Sequence, residues 1–156
     1  MQDFETSIQL DPNSPSVYSN RGITYNELGL YQKALEDFNT AIELAPNFAL
    51  AYSSRGQTYH IGLDQTQPAL QDFNKAIELD PKFANAYLNR GMTRQNRGDL
   101  KGALAAFDRA IEVDPKDAVA YYSRGNVRVA KKDLGGGIEE YSRASEINPR
   151  YSSAYM

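Results

Sequence analysis

The sequence predicts an all-α protein, a right-handed superhelical solenoid of stacked antiparallel helix pairs. The first observation is a phrase, Tyr followed by Arg-Gly, whose four copies step along the chain by 34, 35 and 34 residues and place their glycines at Gly22, Gly56, Gly91 and Gly125. The second is the spacing of apolar residues three and four apart in two segments of each copy, which indicates helices rather than strands. The third is a proline that closes each copy, at Pro46, Pro81, Pro115 and Pro149, because proline cannot continue a helix. Such a period is typical of stacked repeats, in which each pair completes its core against the next.

The copies define the predicted organisation, a single domain over residues 1–156. Residues 2–12 match the later segment 71–81 almost residue for residue, so residues 1–14 are predicted to be the second helix of a truncated repeat. The remaining boundaries are set by the recurring phrases, and they give full repeats at 15–48, 49–83, 84–117 and 118–151 and the start of a further first helix at 152–156. We therefore expect four full repeats, preceded by the second helix of a truncated repeat and followed by the start of another first helix.

Local signals place the ends of the helices. Ser14 and Pro15 predict the N-cap and first turn of the first helix in the first full repeat. Gly29 and Gly98 lie between the paired helices of two repeats, where a left-handed glycine can end the first helix.

Two copies depart from the regular pattern. The second carries one extra residue within 60–68, and we expect a wider turn between otherwise regular helices, with the second helix beginning near Thr66 and Pro68 in its first turn. The fourth carries Gly135, Gly136 and Gly137 where its second helix should begin. Glycine costs a helix roughly 1 kcal/mol relative to alanine, so we expect this start to be frayed or irregular.

The recurring columns of small and aromatic residues resemble the tetratricopeptide repeat. In the first full copy these columns are Tyr18, Gly22, Tyr25, Ala34, Phe38, Ala41 and Pro46. Tyr stands where the family usually has Trp, and Arg stands where it usually has Leu before the glycine. The resemblance covers nearly the whole chain, and it implies that the first helices of successive repeats line a concave groove.

The columns that should face this groove, as the resemblance implies, are largely neutral and polar. Asn and Gln side chains can donate to and accept from a peptide backbone at once, which suits an extended ligand, although simple surface solubility is the alternative interpretation. The predicted groove residues are Ser19, Asn20, Ile23, Asn26, Ser54, Gln57, His60, Asn89, Met92, Gln95, Asn96, Tyr122, Ser123 and Asn126.

Chaperone-binding members of the family hold a terminal carboxylate with a clamp of Lys, Asn and Arg side chains. Here the Asn position is filled by Asn20 and Asn89. The cationic positions hold neutral residues instead, namely Ser19, Ser53, Leu50, Asn85 and Val119. A buried carboxylate would lack its charged partners, so the carboxylate clamp is predicted to be absent.

An arginine precedes each repeat glycine, at Arg21, Arg55, Arg90 and Arg124. We expect its stem to lie over the preceding Tyr and its head to pair with an acid of the second helix such as Asp37 or Asp72. Further cations, Arg94, Arg97, Arg128 and Lys131, extend one basic face. This face could dock an acidic peptide, but we favour a solvated face that balances nearby acids.

Composition argues against most chemistry. With no Cys and one His, catalytic triads and multi-His zinc sites are excluded or nearly so, and we predict no enzyme, no metal site and no cofactor.

There is no membrane-length apolar run and no signal pattern, which favours a cytoplasmic location without membrane contact. Residues 1–78 carry a formal charge of −6 and residues 79–156 carry +3, values too small to indicate nucleic acid.

These observations predict a non-catalytic protein–protein interaction scaffold that binds an extended peptide or partner segment in its concave groove, without a carboxylate clamp. One alternative is a module that self-assembles head to tail, because its open repeat ends leave apolar faces uncapped and its two halves differ in charge. The other is a substrate-presenting repeat region excised from a larger enzyme.

Overall fold

A computed structural model describes residues 2–151, and in that range the secondary structure is helical without strands. The all-α prediction is therefore confirmed. The predicted helix start at 152–156 lies outside the described residues. In chain order the helices are α1 (Gln2–Leu10), α2 (Pro15–Glu27), α3 (Tyr31–Leu44), α4 (Ala49–Gln57) with a π-helical segment (Thr58–Gly62), α5 (Thr66–Leu79), α6 (Ala84–Asn96), α7 (Leu100–Val113), α8 (Ala118–Ala130) and α9 (Leu134–Ile147).

The chain divides between Pro81 and Lys82 into two compact units. In the first unit, α2 packs on α3 and α4 packs on α5, while α3 also contacts α4 and α1 lies against α2. In the second unit, α6 packs on α7 and α8 packs on α9, while α7 contacts α8. Each unit is thus a stack of helix pairs, as the predicted fold class requires.

A ring from the second helix of each pair reaches the backbone of the first helix. In three pairs the ring is fully buried, and it belongs to Phe38, Phe73 and Phe107. An added Cβ at Gly22 would lie only 2.8 Å from Cε1 of Phe38, and Gly56, Gly91 and Gly125 make the same close approach to the rings of their own pairs. The repeated glycine is therefore needed for helix packing, and the ring that it admits fills the core of the pair.

The turns inside the pairs use left-handed backbone conformations. Gly29 and Gly98 have φ of 71° and 80°, as the sequence predicts. In the other two pairs the equivalent left-handed conformation is adopted by Asp64 (φ 51°) and Lys132 (φ 66°). Because neither residue is a glycine, the sequence does not indicate this conformation. At the start of α2, Ser14 is the N-cap residue with Pro15 next to it, but its side chain makes no capping hydrogen bond.

The extra residue of the second repeat lies inside the first helix as well as in the turn. The segment Thr58–Gly62 is π-helical, and the amide of Gln65 donates to the carbonyl of Tyr59, six residues back, at 2.7 Å. In the first repeat, the corresponding bond runs five residues back, from Leu30 to Tyr25. The expectation that only the turn widens is wrong, whereas α5 begins at Thr66 as predicted.

The three glycines of the fourth repeat do not interrupt its second helix. Helix α9 is continuous over Leu134–Ile147, and its N-cap residue Asp133 accepts a hydrogen bond from the amide of Gly136 at 2.9 Å. An added Cβ at Gly137 would lie 2.5 Å from Cγ2 of Val129 in α8. The predicted irregular start is therefore wrong, because the cap and the close helix approach outweigh the low helix propensity of glycine.

Candidate functional site

In the first, second and fourth repeats, the arginine before the repeat glycine is held between a tyrosine ring and a carboxylate, as the sequence predicts. Arg21 donates to both carboxylate oxygens of Asp37, at 2.6 and 2.7 Å, and its guanidinium lies 5.8 Å from the centre of the Tyr18 ring. Arg55 donates to both oxygens of Asp72, each at 2.8 Å. The hydrogen bond that each of these two arginines donates to its Asp raises the pKa of the arginine. These cations hold the helix pairs together and are not available to bind an anionic ligand.

The third repeat departs from this pattern. Ala106 stands where the other repeats carry Asp37, Asp72 or Glu140. Burial, and then the charge of Arg94, lowers the pKa of Arg90, whose guanidinium lies 5.3 Å from the centre of its tyrosine ring.

The basic face of the fourth repeat is balanced by acids, as predicted. Arg124 donates to Glu140 at 2.9 Å and to Asp108 of α7 at 2.6 Å. Arg128 lies 3.3 Å from Glu140 and 3.5 Å from Asp133. A cavity of about 160 Å³ is lined in part by Asp108, Arg124, Arg128 and Asp133, but carboxylates already neutralise its two arginines.

The predicted groove residues of the first unit fall into two groups. Ser19 is fully buried and Ser54 nearly so, which means that these two hydroxyls do not face a ligand. The others retain exposed surface, and they are Asn20, Ile23, Asn26, Gln57 and His60. Small side chains such as those of Ser19 and Ser54 can fit into a closely packed interior.

The predicted groove residues of the second unit are mostly engaged within the protein. Asn89 is buried and donates to Asn85 at 2.7 Å, and Ser123 is buried as well. Asn126 accepts a hydrogen bond from the hydroxyl of Tyr141 at 2.7 Å, and the Tyr122 ring lies 5.3 Å from that same tyrosine ring. The remaining three are at least partly exposed: Met92, Gln95 and Asn96.

In the first unit, predicted residues from two neighbouring first helices meet at one cavity of about 260 Å³. Ile23 and Asn26 come from α2, and Gln57 comes from α4. The complete lining is Ile23, Asn26, Glu27, Tyr31, Gln57, Thr58, Ile61 and Gly62. The cavity therefore lies where α2, the start of α3 and the π-helical segment come together.

Two contacts shape this cavity. The Asn26 amide donates to the hydroxyl of Thr58 at 2.8 Å, and that hydroxyl also lies 3.0 Å from the carbonyl of Ser54. On the other side, the Tyr31 ring lies so close to Gly62 that an added Cβ would be 2.5 Å from Cδ1. The polar groups of this wall thus satisfy each other, and the π-helical backbone rests directly on an aromatic ring.

His60 belongs to the π-helical segment but does not line the cavity. It is partly buried, and burial lowers the pKa of its imidazole, while the nearby carboxylate of Asp64 acts in the opposite direction. The surroundings of the lone histidine thus disfavour its charged form.

Sequence reasoning did not identify Tyr31, Thr58 or Gly62 as part of the site. Thr58 and Gly62 flank the place where the repeat gains a residue, and this irregular spacing was the available signal. Tyr31 begins a second helix, and nothing in the sequence distinguishes it from an ordinary core tyrosine.

Two further properties bear on the kind of site. Among residues 2–151, no group of three or more His, Cys, Asp or Glu side chains is placed to hold a metal ion. None of the helices described is both long and apolar enough to span a bilayer.

Family models of the tetratricopeptide repeat match four stretches that together run from residue 15 to residue 132. The matched residues are 15–48, 49–83, 73–105 and 94–132. The match at residues 49–83 covers the whole repeat that contains the π-helical segment. No curated protein matches the sequence.

Solved structures with the same fold cover between 78% and 97% of the chain. The crystal structure of MamA is 25% identical with a TM-score of 0.81, over 96% of this chain and 87% of that one. TTC0263, a thermophilic TPR protein of Thermus thermophilus, is 22% identical with a TM-score of 0.83, over 97% and 86%. The first TPR of Spaghetti (RPAP3), bound to the HSP90 peptide SRMEEVD, is 23% identical with a TM-score of 0.73, over 78% and 96%. Together with the helix pairs and the glycine–ring contacts within them, these matches show that the chain belongs to the tetratricopeptide repeat family.

Proposed function

We propose that this protein is a non-catalytic interaction module that binds an extended segment of a partner protein across its first helices. Tetratricopeptide repeats generally mediate protein–protein interaction, and the fold is typically a scaffold rather than an enzyme. The observation that carries the proposal is the cavity of the first unit, where residues of α2 and α4 meet.

The size and lining of the cavity support a peptide ligand. Sites for free small molecules usually measure roughly 300–1,000 Å³, and the cavity of about 260 Å³ is smaller. It would accept one side chain of a segment that continues beyond it. Gln57 is exposed at its edge, and its amide can both donate to and accept from a peptide backbone. Ile23 offers apolar contact beside it.

The charges around the first helices support a ligand other than an acidic C-terminus. The positions that would carry a carboxylate clamp hold no cation, and two of them, Ser19 and Ser53, are buried. The cavity instead has a carboxylate in its lining, that of Glu27. A peptide as acidic as the one bound to Spaghetti is therefore not the ligand that we expect.

The proposal can be tested by selecting a phage-displayed library of random dodecapeptides on the purified protein and mapping the enriched peptides by NMR. We expect the amide resonances of Asn20, Ile23 and Gln57 to shift on binding. Shifts confined to the outer surfaces of α3 and α5, or a library without any specific binder, would contradict the proposal.

A matched pair of glutamines sharpens the test. Gln57 and Gln71 are both exposed, but only Gln57 lines the cavity. The loss of one hydrogen bond corresponds to roughly five-fold in affinity, so Gln57→Ala should weaken the enriched peptides by about that factor. Gln71→Ala, on α5, should leave their affinity unchanged.

A further inference from the structure

We infer that the cavity beside the π-helical segment is a subsite for one apolar side chain of the partner, flanked in the partner's sequence by lysine or arginine. This inference rests on the proposed function and adds the chemistry of the segment that is bound. Three features of the first unit support it. One wall of the cavity carries apolar side chains that are exposed to water, a second wall carries polar side chains that are hydrogen-bonded to each other, and the rim carries a carboxylate.

The apolar wall is formed by Ile23, Tyr31 and Ile61. Ile61 is 59% exposed, so most of its side chain is in contact with water. A partner side chain that enters would remove this surface from water, which is favourable in proportion to the apolar area covered.

The polar wall does not oppose an apolar ligand. Burying a polar group without a hydrogen bond is costly, but here the amide of Asn26 already donates to the hydroxyl of Thr58 at 2.8 Å. An aliphatic or aromatic side chain can therefore cover this pair without breaking the hydrogen bond that joins its two members.

The π-helical segment gives the subsite its shape. It absorbs the extra residue of the second repeat and places Ile61 and Gly62 at the cavity. Gly62 lets the backbone rest on the Tyr31 ring. In the fourth repeat, where no residue is added, the position that corresponds to Ile61 is Ala130, so the same apolar wall is not repeated there.

The acidic rim selects the flanking residues. Glu27 lines the cavity and is exposed, and within the described part of the chain it forms no ion pair. The segment up to Pro81 holds only four cations against 11 acids. Each cation is already engaged with an acid or a ring, as the contacts of Arg21, Arg55, Lys33 and Lys75 show. Charge complementarity therefore favours a partner segment that carries Lys or Arg next to its apolar anchor.

The test compares the peptides selected from one random dodecapeptide library by the wild-type protein and by three variants. With the wild type, we expect enrichment of Leu, Ile, Met or Phe next to Lys or Arg. Glu27→Lys should change the flanking preference to Asp and Glu, because it reverses the charge at the rim. Glu36→Lys is the matched control, since Glu36 is an exposed glutamate of α3 that does not line the cavity, and it should leave the preference unchanged. Ile61→Ser should remove the preference for an apolar anchor.

Affinities of one wild-type peptide provide the second readout. Ile61→Ser should weaken it roughly ten-fold, because the apolar contact is lost. Glu27→Gln should weaken it about three-fold at low salt, and this difference should vanish at about 0.5 M NaCl, where exposed charges are screened. Both positions are exposed, so circular dichroism melts should show that the variants remain folded.

The outcomes separate the subsite from the function. If wild-type peptides map to α2 and α4 but neither Glu27→Lys nor Ile61→Ser alters the selected sequences, the subsite is wrong and the interaction module stands. If the wild type selects no peptide at all, both proposals are overturned. Enrichment of acidic peptides by the wild type would overturn the subsite alone.

Discussion

Gly137 lies so close to Val129 that a Cβ added to the glycine would be 2.5 Å from Cγ2 of the valine. Gly135, two residues earlier in α9, has no such neighbour within 4 Å. We expect Gly137→Ala to lower the free energy of unfolding by roughly 1–3 kcal/mol through overpacking. Gly135→Ala should raise it by roughly 0.5–1 kcal/mol, because alanine is the better helix former. Urea unfolding measures both, and changes of the same sign would contradict this account of the helix contact.

Much of the fold could be predicted because the same pattern of residues recurs in four copies along the chain. When the four copies are aligned, equivalent positions show the glycines and aromatic rings that pack the helix pairs and the prolines that end each copy. Two of the copies also show the turn glycines, Gly29 and Gly98. The left-handed conformation of Lys132 could not be predicted, because it is disfavoured for lysine and the sequence has no glycine at this position. Helix propensity alone also gives the wrong prediction at Gly137, where the glycine allows a close contact with Val129 of the neighbouring helix.

The ion pair between Arg55 and Asp72 provides the second prediction. Asp72→Asn removes a carboxylate that accepts two hydrogen bonds at 2.8 Å. Breaking a fully buried pair costs roughly 3–5 kcal/mol, and we expect less here, about 1–3 kcal/mol, because the Arg55 side chain is 20% exposed. Glu36→Gln, at an exposed position of α3, is the control and should change the free energy of unfolding little. Equal urea midpoints for Asp72→Asn and the wild type would refute a stabilising role for the pair.

The candidate site was less predictable than the fold. A small polar residue in a first helix can either face a ligand or fill the contact between helices, and the sequence looks the same in both cases. Ser19 fills such a contact, whereas Asn20, its neighbour, stays exposed. The π-helical segment was also hidden, because an added residue can be absorbed in a helix or in a turn, and the contact between Gly62 and Tyr31 is a tertiary feature.

The hydrogen bond between Asn26 and Thr58 can be tested by Thr58→Val. Valine has nearly the same shape, and the fourth repeat already carries a fully buried valine at the corresponding position, Val127. The substitution leaves the Asn26 amide without its acceptor, so we expect a loss of roughly 1–3 kcal/mol in the free energy of unfolding. Thr40→Val removes only a hydroxyl that donates to the carbonyl of Glu36 one turn earlier, and it should cost less than Thr58→Val does. A smaller loss at Thr58 than at Thr40 would show that the bond between the first helices contributes nothing.

The partly buried imidazole of His60 predicts a pH dependence of stability. Burial lowers the pKa of His60 below its ordinary value of 6.5, against the smaller opposite effect of Asp64. As the pH falls below about 6.5, the unfolded chain takes up a proton on this residue before the folded chain does, so folding becomes less favourable. The wild type should therefore lose more free energy of unfolding between about pH 7.5 and 5.5 than His60→Gln, in which the carboxylates titrate but the imidazole is gone. An NMR titration of the His60 ring with a midpoint at or above 6.5, or equal losses in the two proteins, would contradict the prediction.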